Sequence, residues 1–210
     1  MTSSARTLPP GYSDVAPGHV ASVVTCLEMR EKPQTPVVPL PDDIALVKLQ
    51  EPDLAAYRAL FRKVGSAWLW YSRLLMDDET LLAILRRESV DIYVIQQNGA
   101  DIGMLELDFS EPGECELGFL GLTPDATGKG LGRAIMNKAI GFAWSRPIQR
   151  FWVHTCTFDH PSALGFYIRS GFQPYAFQVE VQKDPRLTGH LPPDAAPHIP
   201  LIRPSGYPNA

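Results

Sequence analysis

Long apolar runs are missing from this chain. No stretch approaches the roughly 18 residues that a membrane span needs, so no membrane partner is expected. Cysteine is scarce: Cys26, Cys115 and Cys156 are odd in number, widely spaced and form no C-x-x-C pair. That excludes a disulfide scaffold and points to reduced thiols in the cytoplasm. The first twenty residues lack a basic region followed by an apolar core, so they do not read as a secretion signal. Charge of one sign is not in excess either. A net charge of −4 over 210 residues gives no general reason to expect nucleic acid as a partner. Internal repeats and low-complexity segments are also absent. What remains is an ordinary globular mixture, 45% hydrophobic and 20% charged, long enough for one domain with a sizeable core.

Proline marks the edges. Fourteen of the twenty prolines fall in residues 1–42 and 184–210, seven in each. The expected organisation is therefore a Pro-rich extension over 1–42, a domain over 43–183 and a Pro-rich tail over 184–210. Residues 20–29 are rich in β-branched side chains and read as an extra strand within the extension. Residues 44–49 predict a strand and 52–64 a helix, with Leu54, Tyr57, Leu60, Phe61 and Val64 on one face. A second helix begins at Asp77 and Asp78 and carries Arg86 and Arg87 in its last turn, the charge order that a helix dipole favours. Strand-like runs at 90–97 and 102–109 are joined through Asn98 and Gly99, a strong hairpin signal. Further strands are expected at 114–122, 150–156 and 174–182. Helices are expected at 130–144 and, opened by Pro161 and closed by Gly171, before the last strand.

The segment Thr127 to Arg133 joins a strand to a helix and holds Gly128, Gly130 and Gly132. Glycines let the backbone approach a ligand, and a helix start offers unpaired N–H groups and a positive dipole end. Such a site suits a pyrophosphate. The spacing is neither that of a P-loop nor that of a dinucleotide fingerprint. Between Asp125 and Asp159 there is no acidic residue, while Lys129, Arg133, Lys138, Arg146 and Arg150 bring a local charge of +5. A polyphosphate ligand and a merely solubilised helix both fit that stretch.

Residues 116–172 resemble the GCN5-related N-acetyltransferases, the GNAT superfamily. Their coenzyme loop reads Q/R-x-x-G-x-G/A, and Thr127, Gly130 and Gly132 occupy those positions. Their later pattern N-x-x-A-x-x-x-Y-x-x-x-G-F is matched by His160, Ala163, Tyr167, Gly171 and Phe172. With the strand and helix at 44–64, the resemblance covers about residues 44–182. Thr127 and His160 depart from the usual Gln or Arg and Asn, which implies altered coenzyme contacts. The run from His154 to Pro161 looks like that of a bacterial branch of the family.

The resemblance implies a mixed α/β fold: a mostly antiparallel sheet of about seven strands, flanked by helices and splayed between the strands at 114–122 and 150–156. It implies acetyl-CoA as cosubstrate, without a metal. It also implies direct transfer to a primary amine of a small molecule. Backbone groups of Leu120, Gly121 and Leu122 would hold the pantetheine arm, and Gly128, Lys129, Gly130, Leu131, Gly132 and Arg133 the pyrophosphate. Tyr167 would protonate the departing thiolate. Glu116, eleven positions before Thr127, is the candidate base, with Glu114 as competitor. Trp68, Trp70 and Tyr71 would line the acceptor pocket, and Arg73 would meet an acceptor carboxylate or solvent. His154 and Cys156 share one side of a strand, but two ligands do not make a zinc site. The alternative is a non-catalytic acyl-CoA-binding or regulatory module, and homodimerisation is left open.

Overall fold

The computed structural model describes residues 7–34 and 36–206, so the coil expected at the outermost termini lies partly outside the described residues. The Asn98–Gly99 signal acts as expected. Both residues take positive φ, 50° and 82°, and turn β3 (Val90–Gln97) into β4 (Ala100–Asp108). Around this hairpin lies a seven-stranded sheet of order β2-β3-β4-β5-β6-β1-β7. It contains β1 (His19–Met29), β2 (Ile44–Lys48), β5 (Glu114–Leu122), β6 (Arg150–Cys156) and β7 (Gln173–Lys183). All neighbours run antiparallel except β5 and β6.

The extra strand expected at 20–29 is β1, and its position is informative. It lies between β6 and β7, hydrogen-bonded to both. The segment read as an extension thus fills an interior slot of the sheet. The tail is tied in as well. Arg186 is 6% exposed, pairs with Asp184 at 2.7 Å and donates to the Ile199 carbonyl at 2.8 Å. This clamp draws Leu191, Ala195 and Ala196 into the core.

Alternation along β4 assigns the two faces of the sheet. Leu105 and Leu107 pack with α4 (Leu131–Ala143) and with Tyr167 of α5 (Ala163–Arg169). Met104 turns the other way, toward α1 (Leu54–Gly65) and α3 (Asp78–Leu85). Asp53 caps α1 by accepting from the N–H groups of Ala55 and Ala56, and Asp77 caps α3 through Thr80. The apolar stripe of α1 buries Tyr57, Phe61 and Val64; full burial of a side chain such as Phe61 stabilises by about 1.5–3 kcal/mol. α3 stops at Leu85 with Arg86 as its C-cap, so Arg86 and Arg87 follow its last turn and do not lie within it. The short α2 (Ser72–Leu75), between α1 and α3, has no periodic signal of its own. No helix among the described residues is long and apolar enough to cross a membrane.

Candidate active site

Three local irregularities open a slot in the sheet. The parallel pair β5–β6 keeps register only from Glu114/Arg150 to Glu116/Trp152, after which the strands diverge. A β-bulge lies just beyond, where β4 passes from Glu106 to Leu107 while β5 passes from Phe119 to Leu117. The surplus residue is Gly118, and it reverses which side chains face α4: Cys115 and Leu117 before it, Leu120 and Leu122 after it. Gly121 then brings β5 close to α1. A side chain there would strike Val64 and would lie 2.9 Å from Cη2 of Trp70. The resulting cavity has a volume of about 750 Å³.

One wall of the cavity is the turn between β5 and α4. Gly128 and Gly130 both have φ of +80°, with nothing within 4 Å of where a Cβ would stand. Only glycine adopts that backbone without strain, and the bare surface permits close approach. Gly130 is the left-handed N-cap of α4, without a side-chain cap and without an acidic residue in the first turn. The first N–H groups of this helix are therefore left for an anion. Thr127, Gly128, Gly130, Leu131 and Gly132 line the cavity, as do Leu120, Gly121 and Leu122. Lys129 and Arg133 are not among its lining residues. The Thr127 hydroxyl donates to the Thr123 carbonyl at 3.0 Å, so it braces its own turn.

Tyr167 also lines the cavity and is only 8% exposed, packed on Phe166 and Phe172. Burial, reinforced by the negative charge of Asp159, pushes its hydroxyl pKa well above the usual 10. The group therefore holds its proton throughout the neutral range. Asp159 is itself fixed. Its Oδ1 accepts from Nε1 of Trp70 at 3.1 Å; its Oδ2 accepts from the Thr155 hydroxyl at 2.7 Å and the Cys156 N–H at 2.9 Å. This network explains the aspartate in the run 154–161, a residue to which the sequence alone assigns no role.

The remaining candidates divide. Glu116 lines the cavity, with Oε1 3.4 Å from Nδ1 of His154. Glu114 is outside the lining and is held by Arg150 at 3.1 Å, which also holds Glu28 at 2.7 Å. Trp68, Trp70 and Tyr71 all line the cavity. Trp68 packs edge-on to His160, ring centroids 5.0 Å apart; His160 in turn accepts from the Ser162 N–H at 3.1 Å, at the start of α5. The Tyr71 hydroxyl donates to Glu180 of β7 at 2.9 Å.

Arg73 requires a correction. It lines the cavity with Trp68, Trp70 and Tyr71, but its guanidinium, expected to meet an acceptor carboxylate or water, is paired with Glu106 and lies 5.2 Å from the Phe119 ring centroid. The reason is burial: Glu106 is 1% exposed, and a buried charge needs a partner. Glu106 and Glu180 line the cavity and escaped the sequence reading because each lies inside an ordinary alternating strand. Among the described residues no group of three His, Cys, Asp or Glu side chains is arranged to hold a metal.

A family model described as acetyltransferase (GNAT) family matches residues 54–172. None of the curated protein sequences compared with the chain matches it. Among solved structures, a putative GNAT acetyltransferase from Novosphingobium aromaticivorans superposes with a TM-score of 0.53 at 19% identity, over 82% of this chain and 69% of that one. A GCN5-related N-acetyltransferase from Sphaerobacter thermophilus gives 0.61 at 13% identity, over 80% of this chain and 53% of that one, so this chain spans about half its length. An aminoglycoside acetyltransferase from an uncultured soil metagenomic sample gives 0.51 at 19% identity, over 61% and 88% of the two chains. At these identities the superpositions bear on the fold.

Proposed function

The chain belongs to the GNAT acetyltransferase family, and we propose that it moves an acetyl group from acetyl-CoA to a primary amine of a small molecule. The single observation that carries this reading is the cavity. One space of about 750 Å³ joins a bare helix N-terminus, a buried tyrosine and a carboxylate-bearing wall. That size is in the range of small-molecule sites.

Each part answers a need of the reaction. The N–H groups at the start of α4 and the open backbone of Gly128 and Gly130 suit a pyrophosphate. The diverging strands expose backbone groups of Leu120, Gly121 and Leu122, which would hold the pantetheine arm and polarise the thioester carbonyl. Acetyl-CoA would supply the activated acyl group. A lysine-like amine, pKa about 10.4, is protonated at pH 7, and reaching its neutral form costs about 4.6 kcal/mol. The carboxylates of Glu116 and Glu180 attract the cation, and the wall they share with His154 provides the exit for its proton. Tyr167, kept protonated by burial, would give its proton to the departing sulfur.

Transfer is direct. Cys156 lines the cavity, but burial and Asp159 raise its thiol pKa above the usual value, so little thiolate is present to carry the acyl group. The three free cysteines fit a reducing compartment, the cytoplasm. Thr127, whose hydroxyl is bonded within its own turn, and His160, whose Nδ1 accepts from the Ser162 N–H, are the features favouring a non-catalytic acyl-CoA-binding module. Thermal-shift measurements with acetyl-CoA, CoA, ATP and NAD test the donor site. A thiol-release assay over an amine panel tests catalysis. Stabilisation by acetyl-CoA without thiol release on any amine would favour the binding module, and no stabilisation by either CoA species would sink both readings.

A further inference from the structure

Glu116 does not face the cavity alone. In the parallel pair it is in register with Trp152, so His154, two residues on, projects from the same face of the next strand. Nδ1 of His154 lies 3.4 Å from Glu116 Oε1, and the histidine side chain is 50% exposed against 27% for the glutamate. Both line the cavity. With Nδ1 turned to the carboxylate, Nε2 is the nitrogen left for a ligand; among the described residues it makes no protein hydrogen bond.

We infer that His154 is the group that takes the proton from the acceptor amine, while Glu116 positions the imidazole and balances its charge. This rests on the acetyl-transfer reading and refines it. The ammonium gives one proton to Nε2 of His154. The freed nitrogen attacks the thioester carbon, the C–N bond forms, and the C–S bond breaks with its electron pair leaving on sulfur. Tyr167 protonates that sulfur. The second proton shed by the nitrogen restores Tyr167, and His154 returns its own proton to solvent.

The surroundings suit the role. Charged and titratable groups approach His154 from four elements: Glu116 on β5, Asp159 in the turn after β6, Glu180 on β7, and Cys26 of β1 directly opposite. The hydrogen bond to Glu116 raises the imidazole pKa above 6.5; desolvation opposes it, and the charges of Glu116, Asp159 and Glu180 add to the rise. An imidazole is competent as a base only when neutral. The rate should therefore fall as pH drops through this raised pKa. A glutamate acting alone at the ordinary carboxylate value would place the limb near about pH 4–5.

Two measurements decide it. In the full chain, NMR titration of the His154 ring should give a midpoint above 6.5, and Glu116→Gln should lower it; an unchanged midpoint overturns the pairing. With the best amine of the panel, kcat/KM against pH should show an acid limb at the NMR midpoint. His154→Gln should abolish that limb and lower kcat/KM about 10²-fold near pH 7.5, the low end of general-base effects. It should recover as pH approaches the amine's own pKa. A His154→Gln profile parallel to wild type overturns the inference while leaving acetyl transfer intact. Failure of the wild type to acetylate any amine would count against the parent reading, with the NMR comparison still deciding whether Glu116 controls His154.

Discussion

The Arg73–Glu106 pair ties one wall of the cavity to the core, and its removal has a calculable outcome. Glu106 is 1% exposed, and its Oε2 also accepts from the Tyr57 hydroxyl at 3.3 Å. The Arg73 side chain is 13% exposed, and its Nε has no partner. Breaking a buried pair costs about 3–5 kcal/mol, because one charge stays behind. Glu106→Leu belongs at about 3 kcal/mol, since the stranded Arg73 can turn toward water in the cavity. For a chain of this size that is a fall in Tm of about 6–12 °C. Arg73→Met strands Glu106, whose carboxyl burial already pushes above the usual value against the pull of the arginine. Without Arg73 the carboxyl pKa rises further. Protonation then becomes the cheaper state, so this variant should regain stability as pH falls from 7 toward 5, at up to about 1.4 kcal/mol per pH unit. The double variant Arg73→Met/Glu106→Leu leaves no charge stranded and should lie within about 1–2 kcal/mol of wild type, far from the roughly 6 kcal/mol of additivity. Urea unfolding at pH 5, 6 and 7 measures all three. Single variants within 1 kcal/mol of wild type, or a double variant that is additive, would refute the view that burial forces this pairing.

Gly130→Glu places a side chain on a residue with φ of +80° and a negative charge at the start of α4; calorimetry should find acetyl-CoA binding abolished, whereas a folded variant that binds like wild type removes the loop from the donor site. Tyr167→Phe preserves packing against Phe166 and Phe172 and should lower kcat by roughly 10²- to 10⁴-fold with acetyl-CoA affinity little changed; unaltered turnover would make water the acid. Gly121→Ala drives a methyl into Val64 and to 2.9 Å from Trp70 Cη2, so Val64 and the indole must both shift and the bond from Trp70 to Asp159 loosens. Unfolding should show a loss of about 1–3 kcal/mol, with a raised KM for the amine.

What was legible in the sequence follows from local physics. The hairpin at 98–99, the acidic start of the second helix and the glycine turn each depend on a few adjacent residues, and all stand where the pattern placed them. The position of β1 was not legible, because an apolar strand carries no information on which neighbours it will pair with. The fate of Arg73 was hidden for the same reason: its partner is 33 residues away on another element. Asp159 was visible within a motif but silent, since its role depends on Trp70, 89 residues distant. His154 was read as one of two potential metal ligands. Its pairing with Glu116 follows from the three-residue register of a parallel pair, which only the folded sheet reveals.

The family model ends at Phe172, before β7, and begins at Leu54, after β1 and β2. The glycine turn and Tyr167 fall inside that span; Val24, Glu180 and Gln182, which line the same cavity, fall outside it. On the proposed reading the donor side of the site is thus built from the shared segment, and part of the acceptor wall from strands that flank it. β1 joins the two sides physically. It pairs with β6 along Val24–Met29, which fixes the strand carrying His154, and with β7, which fixes Glu180. Cys26 is opposite His154, and Ser22 is opposite Glu180. A change in the flanking strands can therefore alter the charges that meet the amine while leaving the helix N-terminus and the tyrosine in place. Selectivity among amines should respond to substitution in β7, at Glu180 before any other position. Glu180→Gln should change the ratio of kcat/KM between mono- and dicationic amines without changing acetyl-CoA affinity, and competition assays that find the ratio unaltered would take β7 out of acceptor recognition.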